Sequence, residues 1–391
     1  MIRRSAPAIV IPVAGVAMLV AACGPTANSG TPAPHVTSAP PPPVAQLTTD
    51  VHDAWPGTTP VTVTTDRGQL SEVELTAQNG HPIAGQLAAD GHTWTSTAEL
   101  PPTGTYSLTA RVAGSSTVGS ATLTKTFTTG APAAAFTVDV TPWGHQVVGI
   151  GQPIMVHTNR SVFSTPQRQD TEAALQVKVN GKPATGAWHW VSGTELHYRE
   201  QGFWPANSQI TVTVGVSDLH LATGVWGTGD RVVSFRTGRS FVMAINDATH
   251  QMTVTQNGAL ARTIPVSMGR PGYETRSGIK TIMSHERTVR MSSASYGGAD
   301  YYDEIVHDAE RLTNSGEFIH SAPWSVADQG HRNVSHGCVN VSPANAAWLF
   351  TASIVGDPVI TLGTHRGVEP GNGTGADWDI PWSSWANASG S

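Results

Sequence analysis

Cys338 and His320 are the residues whose types and spacing most directly suggest chemistry. The chain contains two cysteines, Cys23 and Cys338. A thiol is a weak nucleophile until it is deprotonated, so an imidazole within hydrogen-bond reach is its natural activator. Two histidines stand near in sequence: His336, two positions before the cysteine, and His320, eighteen before it. A spacing of two in a strand sends both side chains to one face, and spacing alone does not choose between the two histidines. Gly337 lets the backbone approach a substrate closely and offers an unobstructed amide to an oxyanion. Ser342-Pro343 opens a predicted helix, whose dipole would favour a thiolate at Cys338. Two other readings use the same side chains. His320, His331, His336 and Cys338 are zinc-ligand types, though no CxxC, HxxxH or HExxH spacing is present. As purely structural residues at a strand–helix junction, they would leave a free extracytoplasmic thiol without a purpose.

The elements around them are mostly strands. From Ala45 to Gly130, Val61-Thr-Val63, Val73-Glu-Leu75, the alternation Tyr106, Leu108, Ala110, Val112 and the set Leu123, Lys125, Phe127 are separated by turns at Asp66–Gly68 and Asn79–Gly80. That density of short strands predicts a β-sandwich, with no helix of useful length. The pattern repeats from Ala131 to Gly238, with strands around Ile154–Val156, Leu175–Val179, Trp188–Trp190, Leu196–Tyr198, Ile210–Val214 and Val232–Phe235, and a hairpin turn at Asn180-Gly181. Both segments end in a similar string, Thr126-Phe127-Thr128-Thr129-Gly130 and Ser234-Phe235-Arg236-Thr237-Gly238. Their spacing is about that of one immunoglobulin-sized domain. A third β unit starts near Arg239, and residues 270–317 read as a long functional loop. A helix over Ala344–Ser353 and a last strand at Val359–Leu362 follow. In the tail, Trp378, Trp382 and Trp385 form either a carbohydrate-stacking platform or a clasp onto the second sandwich or the catalytic unit.

Arg3 and Arg4, the apolar run Ala8–Ala22 and the string Leu19-Val20-Ala21-Ala22-Cys23-Gly24 predict an exported lipoprotein with Cys23 as the lipidated residue. Residues 24–46 carry no charged side chain and read as a spacer. With Cys23 lipidated, Cys338 has no disulfide partner. Only 13% of the residues are charged and the net charge is −6, so there is no basic stripe for nucleic acid.

The string Ser335-His336-Gly337-Cys338-Val339-Asn340, with His320-Ser321-Ala322-Pro323-Trp324 upstream, resembles the signature of the YkuD-type L,D-transpeptidase domain. Met268-Gly269, Met291 with Tyr296-Gly297, Ser342-Pro343 with Asn345, the Asp377–Trp382 tail and the two upstream Ig-like segments are similar to mycobacterial-type members. The resemblance implies a mainly β architecture: signal peptide 1–22, lipidated N-terminus and spacer 23–46, Ig-like domains 47–130 and 131–238, catalytic domain 239–363, Trp-rich tail 364–391. It implies Cys338 as nucleophile and His320 as general base, with Ser321 holding it and His336 as structural or electrostatic helper. Protonated His320 would stabilise the resting thiolate. Gly337 and Cys338 amides with the hydroxyl of Tyr302, or the adjacent Tyr301, would form the oxyanion hole. Ser315 and Gly316 would contact the stem peptide, and Asn340 is the polar residue after the nucleophile. The implied reaction joins two peptidoglycan stem peptides by a 3→3 cross-link through a thioester, releasing D-Ala, without metal or organic cofactor. Carbapenem β-lactams are the implied covalent inhibitors. A hydrolase on the same thioester, or a wall-binding lipoprotein with an inactive third unit, are the rival expectations.

Overall fold

The computed structural model describes residues 39–292 and 302–387. Cys23, the expected signal segment, most of the spacer, Tyr296, Gly297 and Tyr301 lie outside the described residues. Among the described residues no helix is long and apolar enough to cross a membrane.

The first unit is a sandwich of two sheets. One has Leu47–Thr49, Thr62–Thr65, Thr93–Ser96 and Gly85–Leu87 side by side, and the other has Leu70–Ala77, Thr105–Val112 and Ala121–Thr128. The alternation in Thr105–Val112 explains the packing: Tyr106, Leu108, Ala110 and Val112 are all buried between the sheets. The second unit repeats this layout. Its two main sheets are Val147–Val148, Arg231–Thr237, Gln209–Val214, Leu175–Val179, Lys182–Pro183 and Ala187–Trp190, Glu195–Arg199, Ile154–Thr158, Val138–Thr141, with a further three-stranded sheet of His220–Ala222, Val225–Gly227 and Ala134–Phe136. The predicted Asn180-Gly181 turn is present, with φ of 50° and 79°. This unit also holds a helix, Thr165–Ala173, which the strand pattern does not predict. Ser164 caps it, accepting from the Gln167 N–H at 3.4 Å, and Thr171 is its only buried residue, so no apolar stripe announces it.

The third unit packs a five-stranded sheet (Ala259–Pro265, Gln251–Gln256, Phe241–Asn246, Pro358–Leu362, Gly278–Thr281) against a four-stranded one (Ser284–Ser292, Asp303–Arg311, Phe318–Ser321, Val339–Val341). Their common core includes Met243, Val254, Ile264, Ile319, Val339 and Leu349. Residues 270–317 are therefore not one long loop: they contain three strands, two of them a charged hairpin. The helix Pro343–Ala352 starts as predicted, Ser342 Oγ accepting from the Asn345 N–H at 3.4 Å, and packs on the Asp303–Arg311 and Phe318–Ser321 strands.

The second and third units meet main chain to main chain. The Gly149 N–H donates to Val355 O at 2.7 Å and the Gly151 N–H to Gly356 O at 2.9 Å. A Cβ on Gly149 would stand 2.0 Å from Asp357 N.

The tail closes this junction from the other side. The Trp378 indole donates to Gly151 O at 2.8 Å and the Trp385 indole to Ala187 O at 2.9 Å. The Arg199 guanidinium lies 5.0, 5.3 and 4.5 Å from the rings of Trp378, Trp382 and Trp385. Arg199 also donates to Ile380 O at 2.7 Å. The tryptophans thus form a clasp on the second Ig-like unit, with Trp385 fully buried, and not an open platform.

Candidate active site

Two parallel strands set the positions of the expected pair. Phe318–Ser321 pairs with Val339–Val341 so that His320 stands opposite Asn340. Cys338 lies two positions before Asn340, and His320 and Cys338 line one cleft of about 510 Å³. Tyr302, Ser315, Gly316, His336, Gly337 and Asn340 line the same cleft.

The turn before the cysteine is pinned from both sides. Ser335 Oγ accepts from the Gly337 N–H at 3.0 Å and donates to Cys338 O at 2.6 Å. Thr275 Oγ1 donates to Gly337 O at 2.7 Å. Gly337 has φ of 123°, a conformation a side chain would strain. Its N–H, expected to be unobstructed, is engaged by Ser335 in this state. The helix dipole expected at the thiol is also displaced, because the strand Val339–Val341 separates Cys338 from the Ser342 cap.

The two histidines occupy different environments. His320 is 4% exposed, and its Nδ1 donates to the Ser321 carbonyl at 3.0 Å. That bond assigns the proton to Nδ1 and leaves the Nε2 lone pair as the acceptor. Ser321 thus holds His320 through its carbonyl oxygen. His336 is exposed, edge-on to Tyr273 at 5.1 Å and tilted against Tyr302 at 4.7 Å between ring centroids.

The charge state differs from the thiolate–imidazolium pair that the resemblance implies. Burial pushes the His320 imidazole down to about 4, against the Ser321 hydrogen bond. Burial pushes the Cys338 thiol up to about 12, against the Phe318 backbone hydrogen bond, while the Glu317 carboxylate adds to the rise. The thiol donates to Gly316 O at 3.8 Å. Burial thus favours the neutral form of both groups.

Asn340 is 2% exposed and its side-chain amide donates to Ser325 Oγ at 3.0 Å, which ties the nucleophile strand to the turn after Trp324. Gly316, with φ of 90°, closes the tight turn beginning at Thr313, and Ser315 is exposed at its tip. His331 is exposed and does not line the cleft. Among the described residues no three His, Cys, Asp or Glu side chains gather as a metal ion would need.

Sequence reasoning misses the ionic support beneath this turn. Glu317 is buried against Lys280 and Arg276, and Arg276 reaches on to Glu369. These side chains come from a region without periodicity, and no local signal marks them.

Comparison with known proteins decides the family. A model of the bacterial Ig domain matches residues 53–220, and one of the L,D-transpeptidase catalytic domain matches residues 240–361. The chain is 35% identical over 349 residues to L,D-transpeptidase 2 of Mycobacterium tuberculosis, covering 88% of this chain and 84% of that protein. The chain belongs to the L,D-transpeptidase family. Among further family members, L,D-transpeptidase 5 of the same organism is 28% identical over 361 residues, covering 89% of this chain and 78% of that protein. A solved LD transpeptidase in complex with imipenem superposes with a TM-score of 0.50 at 36% identity, covering 57% of this chain and 97% of that one. The family carries the mainly β, Ig-plus-catalytic architecture read from the sequence.

Proposed function

We propose that this L,D-transpeptidase works through a Cys338 thioester and forms 3→3 cross-links between peptidoglycan stem peptides. The observation that carries the reading is the tautomer lock at His320: with Nδ1 bound to the Ser321 carbonyl, Nε2 faces the task of accepting the thiol proton. As a donor tetrapeptide enters, the Cys338 proton passes to Nε2 and the sulfur attacks the carbonyl between the third residue and D-Ala. The C–N bond breaks, His320 returns the proton to the leaving amine, and a thioester remains. The side-chain amine of a second stem then attacks the thioester carbonyl, His320 taking the amine proton; the C–S bond breaks, and that proton returns to the sulfur to regenerate the Cys338 thiol.

The Cys338 N–H and the Tyr302 hydroxyl are the proposed oxyanion donors, with Gly337 giving close access. Ser315 and Gly316 are the proposed stem contacts. Asn340 acts through Ser325 as a strut. His336, edge-on to Tyr273 and tilted against Tyr302, is the proposed helper that holds Tyr302.

The imipenem complex of a relative supports carbapenems as covalent inhibitors here, because a strained lactam carbonyl needs only the thiol and an oxyanion site. The string ending at Cys23 supports a lipid anchor on the extracytoplasmic face of the membrane. The boundaries 47–130, 131–238 and 239–363 are the proposed domain limits, flanked by the spacer and tail.

The test is to incubate the protein with a disaccharide-tetrapeptide and read product masses. A dimer lacking one D-Ala supports transfer, whereas tripeptide alone assigns the thioester to water. Cys338→Ala should abolish D-Ala release and leave the fold intact. A Cys338→Ala protein that still releases D-Ala removes the central claim.

A further inference from the structure

The turn that carries Gly316 is held from outside the catalytic sheets. The Ser315 N–H donates to Asn372 Oδ1 at 3.0 Å, and Asn372 Nδ2 donates to Ser315 Oγ at 3.0 Å. Asn314 Nδ2 donates to Gly371 O at 3.0 Å. Asn372 Nδ2 also donates to Glu369 Oε2 at 2.8 Å, and that carboxylate accepts from Arg276, which pairs with Glu317. Asn372, Glu369, Arg276 and Glu317 therefore close a ring of polar contacts around the turn from Thr313 to Glu317. The Cys338 thiol rests on this turn, through Gly316 O.

The chain leaving Asn372 has no slack. Gly373 has φ of 113°, and a Cβ there would meet Met283 Sδ at 3.0 Å and Leu312 O at 3.1 Å. A Cβ on Gly375 would stand 2.4 Å from Lys280 Cα. Thr374 Oγ1 and Thr281 Oγ1 are 2.6 Å apart. Asp377 then meets His197 of the second Ig-like unit at 2.8 Å, and Asp379 accepts from the Ile279 N–H at 2.9 Å. Only a few residues separate the grip on the site turn from the grip on the Ig-like unit.

We propose that Asn372 is a positioning residue for the donor-binding turn Thr313–Glu317, and that the tryptophan clasp on the second Ig-like unit keeps it in place. The strap transmits order from the Ig-like unit to the catalytic cleft. Loosening either end frees the turn, so the donor stem meets a mobile surface and binds less well. This rests on the reading of Ser315 and Gly316 as donor contacts. A misplacement of about 1 Å at such a contact costs up to ~10²-fold in rate.

The test uses the full chain with Asn372→Ala, Trp385→Ala and the double variant. Hydrogen exchange is followed in peptides covering residues 313–317, and KM and kcat are measured for D-Ala release from a disaccharide-tetrapeptide. Asn372→Ala should lose protection in that turn and raise KM about 10-fold, with kcat changed less. Trp385→Ala should reproduce both effects, and the double variant should be no worse than the worse single one, since both act on one device. Should Asn372→Ala not fold, Asn372→Ser, too short to bridge Ser315, carries the same expectation. Wild-type protection and KM in the Asn372 variant, a protected turn in Trp385→Ala, or additive losses would each overturn the proposal. Loss of protection without any change in KM would instead count against Ser315 and Gly316 as donor contacts, and the exchange data keep the two failures apart.

Discussion

Raising the pH should open the tail clasp, and His197 is the group that sets where. Burial alone would lower the His197 imidazole, but the hydrogen bonds to Asp377 at 2.8 Å and Glu195 at 3.3 Å reverse this and raise it to about 9 from 6.5. The protonated ring is the one that bridges both carboxylates, and its charge is felt at the neighbouring His189, whose imidazole is lowered chiefly by burial. A histidine whose folded value is raised contributes stability that is fully present below its unfolded value and lost as pH rises through the folded one. The window is thus about 6.5 to 9. At about 1.4 kcal/mol per pKa unit, the rise from 6.5 to about 9 is worth ~3 kcal/mol for this buried group. The assay is hydrogen exchange in peptides covering residues 374–387, expressed as protection factors corrected for intrinsic exchange, in wild type and His197→Gln. The wild type should be better protected by up to ~3 kcal/mol at pH 6, with the advantage shrinking towards pH 9 and above. A difference that stays flat across this range, or that grows with pH, would refute the assignment of the clasp's pH response to His197.

The neutral resting pair predicts that the free enzyme shows no thiolate absorbance near 240 nm at pH 7, checked by difference spectra against Cys338→Ala. A thiolate signal at neutral pH would restore the ion pair. His320→Ala should slow D-Ala release by about 10²–10⁴, the usual range for a general acid–base group. His336→Ala, folded by circular dichroism, should lose less, and the reverse order would exchange the two roles. Lys280→Met leaves Glu317 buried with Arg276 as its remaining cation, and should lower stability by about 3–5 kcal/mol in denaturant unfolding of the catalytic unit. An unchanged midpoint would mean that Arg276 compensates fully.

Strands that bury one face were legible, because alternation survives without knowledge of neighbours: Thr105–Val112 reads directly as an inside and an outside. The hairpin Ser284–Ser292 with Asp303–Arg311 was not. Both its strands are charged, and cross-strand pairs such as Arg287–Asp308 at 2.7 Å and Arg290–Asp303 help hold them, so no apolar period marks them. Cys338 and His320 could be singled out because their chemistry is local to a motif. The supports of the site could not, since Asn372 reaches Ser315 across 57 positions and Arg276 reaches Glu369 across 93. The thiol's charge state was not legible for a related reason. It depends on how much protein covers the sulfur, and motif spacing carries no measure of depth.

The glycine joint between the second Ig-like unit and the catalytic unit bears on how such a protein can change by recombination. Its hydrogen bonds run between main-chain atoms, and a Cβ on Gly149 would collide with the opposing backbone. Side chains away from this joint and from the tail clasp can therefore diverge without altering the main-chain contacts at which the units meet. A single methyl group at Gly149 cannot be absorbed by rotamer changes and forces the whole junction apart. A chimera that imports a foreign Ig-like unit should seat correctly when it brings small residues at this point together with counterparts of His197 and Arg199, which the tail clasp grips.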